Sequence, residues 1–408
     1  MSGGDHALPL SGKWVVLGVT GSIAAVETVK LVHLLKRRGA RVQAVMSPAA
    51  CGIISPDALT YATGQPVITR LSGMVEHVAW CGEGGGAAVL LIAPATANSI
   101  AKIALGIDDT PVTTFATTAI GSGIPVIIAP AMHGSMYRHP AILSHLAMLE
   151  RWGLSCIPPR MEEGKAKIAP PDEIVLYCER AVLGNPLAGT HVLITSGPCR
   201  EPLDDVRVLT TRSTGFMGRE IALQAFRLGA QVTLVAREGA LCADHIPVET
   251  SEEMHQAVHA VFHKGNVDIY ISAAAISDYA PERVAGKIAS GAEVSIRLIP
   301  LPKLIAAVME SYAPFTVAFK AGWDGERGAA ELLGAGADLV VANTPDEMGS
   351  VGGRFVVIGP ATRFEVIGTK EEAAEGIWSE VIRSLGRKKE RGARSVGMES
   401  TGDPPMAG

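Results

Sequence analysis

The chain has 408 residues, 48% of them hydrophobic and 19% charged, with a formal net charge of −5. That length accommodates two domains with separate cores, and the apolar content excludes a disordered polymer. The mildly acidic balance gives no reason to expect nucleic acid. No apolar run reaches transmembrane length and the start MSGGDHALPLSGK has no signal-peptide core, so a cytoplasmic protein without membrane contact is expected.

Residues 1–12 read as disordered. Trp14–Gly18 (WVVLG) is an apolar strand entering the glycine turn GVTGSIAA. Ser22–Arg38 then has helical spacing, with Ile23, Val26, Val29, Leu31, Leu34 and Leu35 able to face a sheet. Strands are predicted at Arg41–Met46, Ala88–Ala93 and Pro125–Pro130, each continuously apolar, as suits strands covered on both faces. The Gly/Pro stretch Gly184–Gly189 reads as a linker. A second series follows at His191–Thr195, Gln231–Ala236, Asp268–Ala275, Phe315–Lys320, Asp338–Asn343 and Arg354–Gly359. Its opening repeats the first half: LLKRRGARVQAVMS (Leu34–Ser47) is answered by AFRLGAQVTLVAR (Ala225–Arg237). The expected fold class is therefore α/β, with two doubly wound, mostly parallel Rossmann-like domains at 13–184 and 185–386 and a polar, disordered tail at 387–408. The six cysteines, Cys51, Cys81, Cys156, Cys178, Cys199 and Cys242, show no C-x-x-C pair or metal-ligand spacing and read as thiols.

Backbone amides at the first glycine turn favour a phosphate, and Thr20 and Ser22 add hydroxyls, although a purely structural strand-to-helix turn has the same pattern. The turn is not a full G-x-G-x-x-G. The next strand ends in Met46-Ser47-Pro48 rather than in an acid for a ribose, which suits a mononucleotide better. APATAN (Ala93–Asn98) and IPVIIAPAMHGSM (Ile124–Met136) place polar groups and Met132, His133 and Met136 just past strand ends, where ligands sit in such folds. His77 stands alone in VEHVAW, as a packed ring or as an acid/base.

GVTGSIAA, His77, APATAN and the P-A-M-x-x-x-M-Y box at Pro130–Tyr137 together resemble the flavin-dependent cysteine decarboxylases. The resemblance implies a flavodoxin-like domain with FMN held by Gly18, Thr20, Gly21, Ser22, Ser47, Thr96 and Asn98. It also implies substrate contacts from Met132 and Met136, His77 as a catalytic group, and trimers with active sites between subunits. In that chemistry, hydride transfer from the carbon bearing sulfur to flavin makes a thioaldehyde, the electron sink for CO2 loss. The hydride then returns, so the cycle is redox-neutral. Two departures stand out. His133 replaces an asparagine that binds the substrate carboxylate, and it can donate the same hydrogen bond. Lys167, in MEEGKAKIA, falls where the bacterial relatives have a proton-donating cysteine, a role that requires a lowered pKa or a favourable position.

In the second half, SGPCREPLDDVR, RSTGFMGREIA, AAAISDY, GKIAS, VAFKAG and VVANT resemble the phosphopantothenate–cysteine ligase domain over most of 189–382. The whole chain thus resembles the bifunctional decarboxylase–ligases of coenzyme A biosynthesis, in an archaeal-like variant. The resemblance implies that CTP with Mg2+ activates the carboxylate of 4′-phosphopantothenate as an acyl-cytidylate, from which cysteine's amine displaces CMP. CTP contacts are implied at Gly197, Ser272, Ala273, Ala274, Asp278, Lys287, Phe319, Lys320, Ala321, Gly322 and Asn343, with Lys287 also at the reacting centre. Arg207, Arg212 and Thr211 are implied at phosphopantothenate, and the second domain pairs as a dimer. Thr211 stands for a family asparagine, Phe216 for a loop lysine, Ala289 and Ser290 for later lysines and Gly322 for a glutamate, while Lys320 restores one positive charge. Arg200, Glu201 and Arg207 read equally well as ion-paired loop supports, and Lys287 as a surface charge. ATP in place of CTP stays open. So do an FMN protein, decarboxylase-only or prenyltransferase-like, with a degenerate ligase half, and a non-catalytic regulatory member.

Overall fold

The computed structural model describes residues 8–398 apart from Ala292 and Met348. The chain divides at Gly184/Asn185 into two units.

In the first unit, Arg41–Met46, Trp14–Val19, Ala87–Ala95, Val126–Pro130 and Ser155–Cys156 form a five-stranded sheet in that order, with every pair parallel. Alternate side chains of a strand point to opposite faces, and here both faces are covered. Val15, Leu17 and Val19 pack with Leu31, Val32 and Leu35 on one side, and Val16 packs with Ile100 and Phe115 on the other. That explains why the run is apolar at every position, each fully buried large side chain contributing roughly 1.5–3 kcal/mol. Because Trp14–Val19 has its sequence neighbours on opposite sides, a crevice opens at its carboxyl end.

The stretch expected as one helix is a 3-10 turn, Ile23–Glu27, followed by an α-helix, Thr28–Arg37. The change of pitch turns Ile23 and Val26 outward (77% and 52% exposed), against the sequence reading, while Leu31 and Leu35 still face the sheet. A three-stranded antiparallel sheet of Met132–His133, Lys165–Lys167 and Arg160–Glu162 is a further feature that the apolar pattern did not announce.

The second unit holds an eight-stranded sheet in the order Asp244–Pro247, Gln231–Ala236, His191–Pro198, Ile269–Ala275, Phe315–Ala321, Leu339–Asn343, Gly352–Gly359 and Thr362–Thr369. The first six run parallel and the last two form an antiparallel hairpin edge. Helix Phe216–Arg227 starts so close to the end of His191–Pro198 that a Cβ at Gly218 would overlap the Ser196 side chain. The last helix, Lys370–Met398, is fastened to it: buried Trp378 donates from Nε1 to Ile221 O at 3.0 Å, and Arg227 meets Glu371 at 3.1 Å.

The α/β, mostly parallel class expected from the sequence is what the two units show. The limits set for disorder need correcting where they are described. Leu10 is fully buried in the first core with its amide donating to Arg38 O, and the last helix continues past Gly386 to Met398. Residues 1–7 and 399–408 lie outside the described residues. Among the described residues, no helix is long and apolar enough to cross a membrane. Cys51, Cys81, Cys156, Cys178 and Cys199 are free thiols, and burial pushes those of Cys81, Cys156 and Cys199 up to about 12, which keeps them unreactive.

Two candidate active sites

At the carboxyl edge of the first sheet lies a cavity of about 550 Å³, lined by the expected Gly21, Ser22, Ser47, Thr96, Asn98, Met132 and Met136. Four of its wall residues are helix N-caps. Ser22 accepts from the Ala24 amide at 3.4 Å, Ser47 from Ala50 at 3.3 Å, Thr96 from Ser99 at 3.2 Å and Thr110 from Thr113 at 3.2 Å. Four positive helix ends around one space favour an anion. Gly21 lets the turn close: a Cβ there would lie 2.5 Å from Ala49 Cβ.

Two expected ligand contacts turn out to be supports. Thr20 is buried, donates its hydroxyl to Pro94 O at 2.7 Å and accepts the Thr96 amide at 3.0 Å, so it ties two loops together. Gly18 is buried inside its strand, where a Cβ would meet Val112 Cγ1 at 3.0 Å. The sequence reading missed Thr110 and Lys102, the latter ion-paired with Asp109 at 2.6 Å. Thr110 had a readable signal, a threonine followed by proline at the first helical position.

The three expected catalytic groups of this half differ in placement. His133 is exposed and caps helix Gly134–Tyr137, its Nδ1 accepting from the Ser135 amide at 3.3 Å, so the neutral ring carries its proton on Nε2. His77, on helix Glu76–Cys81, does not line the cavity of its own chain. Its ring lies 6.5 Å from Phe115, with Nδ1 buried and without a hydrogen-bond partner. Lys167 does not meet the requirement of a lowered pKa. Its ammonium pairs with Glu162 at 3.0 Å and Glu163 at 3.3 Å, and those carboxylates push its pKa up. It remains a firmly protonated cation and a poor acid.

In the second unit a cavity of about 330 Å³ opens at the carboxyl ends of Ile269–Ala275, Phe315–Ala321 and Leu339–Asn343. It gathers the expected Thr211, Ala273, Ala274, Asp278, Phe319, Lys320, Ala321 and Asn343, and adds Phe216, Glu347 and Lys370, which the sequence reading had not placed there. Gly197 lies in an adjoining smaller cleft with Ser196, Thr214 and Gly215. Ser272, Gly322 and Arg212 do not line the cavity; the Gly322 amide donates to Asn343 O at 3.0 Å, and Arg212 is exposed.

Arg207 resolves as a support: it pairs with Asp204 at 2.7 Å and donates to Ile288 O at 3.2 Å. Glu201 likewise accepts the Ser251 amide at 2.9 Å. Lys287 is exposed and outside the cavity lining, yet its loop is pinned on both sides. The Gly286 amide donates to Asp205 at 3.1 Å and the Ile288 amide to Asp204 at 3.0 Å.

Comparison with known proteins separates the same two halves. The Flavoprotein family matches residues 5–183, and the DNA/pantothenate metabolism flavoprotein C-terminal domain matches 187–385. The Coenzyme A biosynthesis bifunctional protein CoaBC of Thermococcus kodakarensis is 43% identical over 394 residues, 92% of this chain and 96% of that protein. Among solved structures, the C-terminal domain of a protein of that name aligns at 30% identity and TM-score 0.43, covering 50% of this chain and 100% of its own. The FMN-dependent cysteine decarboxylase SpaF aligns at 27% and TM-score 0.38, covering 43% of this chain and 97% of its own. With both family halves present in order and a relative matched over nearly its full length, the chain belongs to the family of coenzyme A biosynthesis bifunctional proteins.

Proposed function

We propose that the chain performs two consecutive steps of coenzyme A biosynthesis, one in each unit. The second unit uses CTP with Mg2+ to join cysteine to 4′-phosphopantothenate through an acyl-cytidylate. The first decarboxylates the phosphopantothenoylcysteine to 4′-phosphopantetheine with FMN. The observation that carries this reading is the pairing of both family halves in one chain, each with a cavity at the carboxyl edge of its sheet.

FMN fits the first cavity, whose volume is that of a small-molecule site and whose hydroxyl-capped helix starts suit a phosphate. Bound there, it supplies a reversible two-electron acceptor for the carbon bearing sulfur. Ser22, Ser47 and Thr96 hold the phosphate, and Asn98 adds an amide at the same edge. Met132 and Met136 wall the substrate end, and His133 donates from Nε2 to the substrate carboxylate. His77 is assigned to the cavity of a neighbouring copy in a homotrimer, where its imidazole moves a proton at the substrate thiol. Exposed Met74, Val75 and Val78 beside it form an apolar surface that such an assembly covers.

In the second unit, Asp278 reads the base and Lys320 and Lys287 meet the phosphates, which Mg2+ further neutralises as pyrophosphate leaves. Thr211 and Arg212 serve phosphopantothenate, and this unit pairs as a dimer.

The test supplies the purified protein with 4′-phosphopantothenate, cysteine, Mg2+ and either CTP or ATP, and follows products by mass spectrometry. Phosphopantetheine is expected with CTP; no pyrophosphate with either nucleotide overturns the ligase reading. His77→Asn is expected to slow CO2 release by about 10²-fold or more with pyrophosphate formation unchanged. Lys287→Gln is expected to do the reverse, lowering pyrophosphate formation by about 10²-fold in a folded protein.

A further inference from the structure

Lys370, the first residue of the last helix, lines the second cavity while being only 4% exposed. Its ammonium stands 5.3 Å from the centre of the Phe216 ring, and the Arg219 guanidinium stands 5.8 Å from the same ring. Among the described residues no carboxylate pairs with it, and burial alone pulls its pKa below the usual lysine value. Asp278 and Glu347 line the same cavity, but the Glu347 carboxylate is occupied by the amides of Thr344 at 2.8 Å and Arg354 at 2.6 Å.

An ammonium withdrawn from water without a counter-ion costs stability, and a helix start is the wrong end for a cation. The position is nevertheless enforced. The Lys370 amide donates to Val351 O at 3.1 Å, Glu371 holds Arg227 at 3.1 Å, and Trp378 holds Ile221 O at 3.0 Å. On the same cavity, Gly215, Phe216, Met217 and Gly218 present the start of helix Phe216–Arg227, a second source of positive potential. The two together form half of an ion pair whose other half comes with the ligand.

We propose that Lys370 binds the phosphate chain of the nucleotide in the second cavity. This rests on reading that cavity as a nucleotide site, and it adds the residue that fixes the phosphate end. The buried ammonium, already stripped of water and set against Phe216, meets a polyphosphate without further desolvation of its own.

Calorimetric titration of the full chain with CTP, cytidine and inorganic tripolyphosphate tests it, using wild type, Lys370→Met and Lys370→Arg. The methionine variant is expected to bind CTP and tripolyphosphate about 10- to 100-fold more weakly and cytidine as the wild type does. The arginine variant is expected to keep most of the phosphate affinity. Without ligand, the melting temperature of Lys370→Met is expected to equal or exceed that of wild type, since an unpaired buried charge is gone. Unchanged tripolyphosphate affinity in Lys370→Met overturns the proposal, and so does equal weakening of CTP and cytidine, which marks a structural role. Lys370-dependent binding of tripolyphosphate by a wild type that does not bind CTP upholds the phosphate site and overturns the nucleotide reading instead.

Discussion

Gly21→Val protein is expected to purify without flavin colour, with FMN affinity lowered by at least about 10²-fold. A Cβ at this position would stand 2.5 Å from Ala49 Cβ, a separation that packed side chains do not adopt. Ala49 belongs to the short helix Pro48–Cys51, whose cap is Ser47, so relieving the overlap moves one of the hydroxyl-capped starts that face the cavity. Overpacking of this kind costs roughly 1–3 kcal/mol in stability, and a displacement near 1 Å at a binding group lowers activity by about 10²-fold. Gly18→Ala makes the contrast. Its Cβ would press on Val112 Cγ1 at 3.0 Å, with Ile92 and Leu91 at ordinary contact distance and none of the three on the cavity lining, so that variant is expected to stay yellow. Flavin absorbance per protein and CO2 release are the measurements, with pyrophosphate formation as the internal control for folding. A Gly21→Val protein carrying a full complement of flavin sinks the assignment of the turn.

The contrast between Gly18 and Gly21 also shows where the sequence stops being legible. Strands covered on both faces write themselves as apolar runs, and all ten predicted runs are strands. Thr362–Thr369 escaped because it is an edge strand alternating half-buried with exposed residues, and Arg160–Lys167 because its hairpin is mostly polar and exposed. Within GVTGSIAA both glycines look alike, and only the approach of Ala49 distinguishes the one at the cavity. Lys370 carried no local signal at all. It opens a charged helix, KEEAAEG, and acquires meaning only when that helix docks beside Phe216. Ile23 and Val26 were misread for a different reason: the period used was that of an α-helix, and the backbone there is a 3-10 turn. Arg207 was balanced between ligand and support, and Asp204 decides for support.

Asp204 is also the origin of the last expected result. Its buried carboxylate accepts the amides of Val206 at 2.8 Å, Arg207 at 2.6 Å and Ile288 at 3.0 Å, and pairs with the Arg207 guanidinium at 2.7 Å. Burial alone would raise its pKa, but the three amides and the guanidinium outweigh it and hold the carboxyl at about 2. Asp204→Asn removes the charge and turns an NH2 group toward donors, so the Ile288 end of the segment Gly286–Ile288 loses its anchor while the Gly286 end stays on Asp205. Lys287 sits in that segment, and pyrophosphate formation is expected to fall by about 10²-fold. Asp204→Asn combined with Lys287→Gln is expected to be no slower than Lys287→Gln alone, since the anchor acts through the lysine. The pH dependence has a definite sign. The folded pKa lies below the unfolded value of about 3.9, so the anchor is complete above about pH 4 and is lost as pH falls toward 2. Hydrogen exchange of the Ile288 amide across that window reads the loosening directly. Wild-type exchange and turnover in Asp204→Asn would show that the Lys287 loop is positioned by something other than this carboxylate.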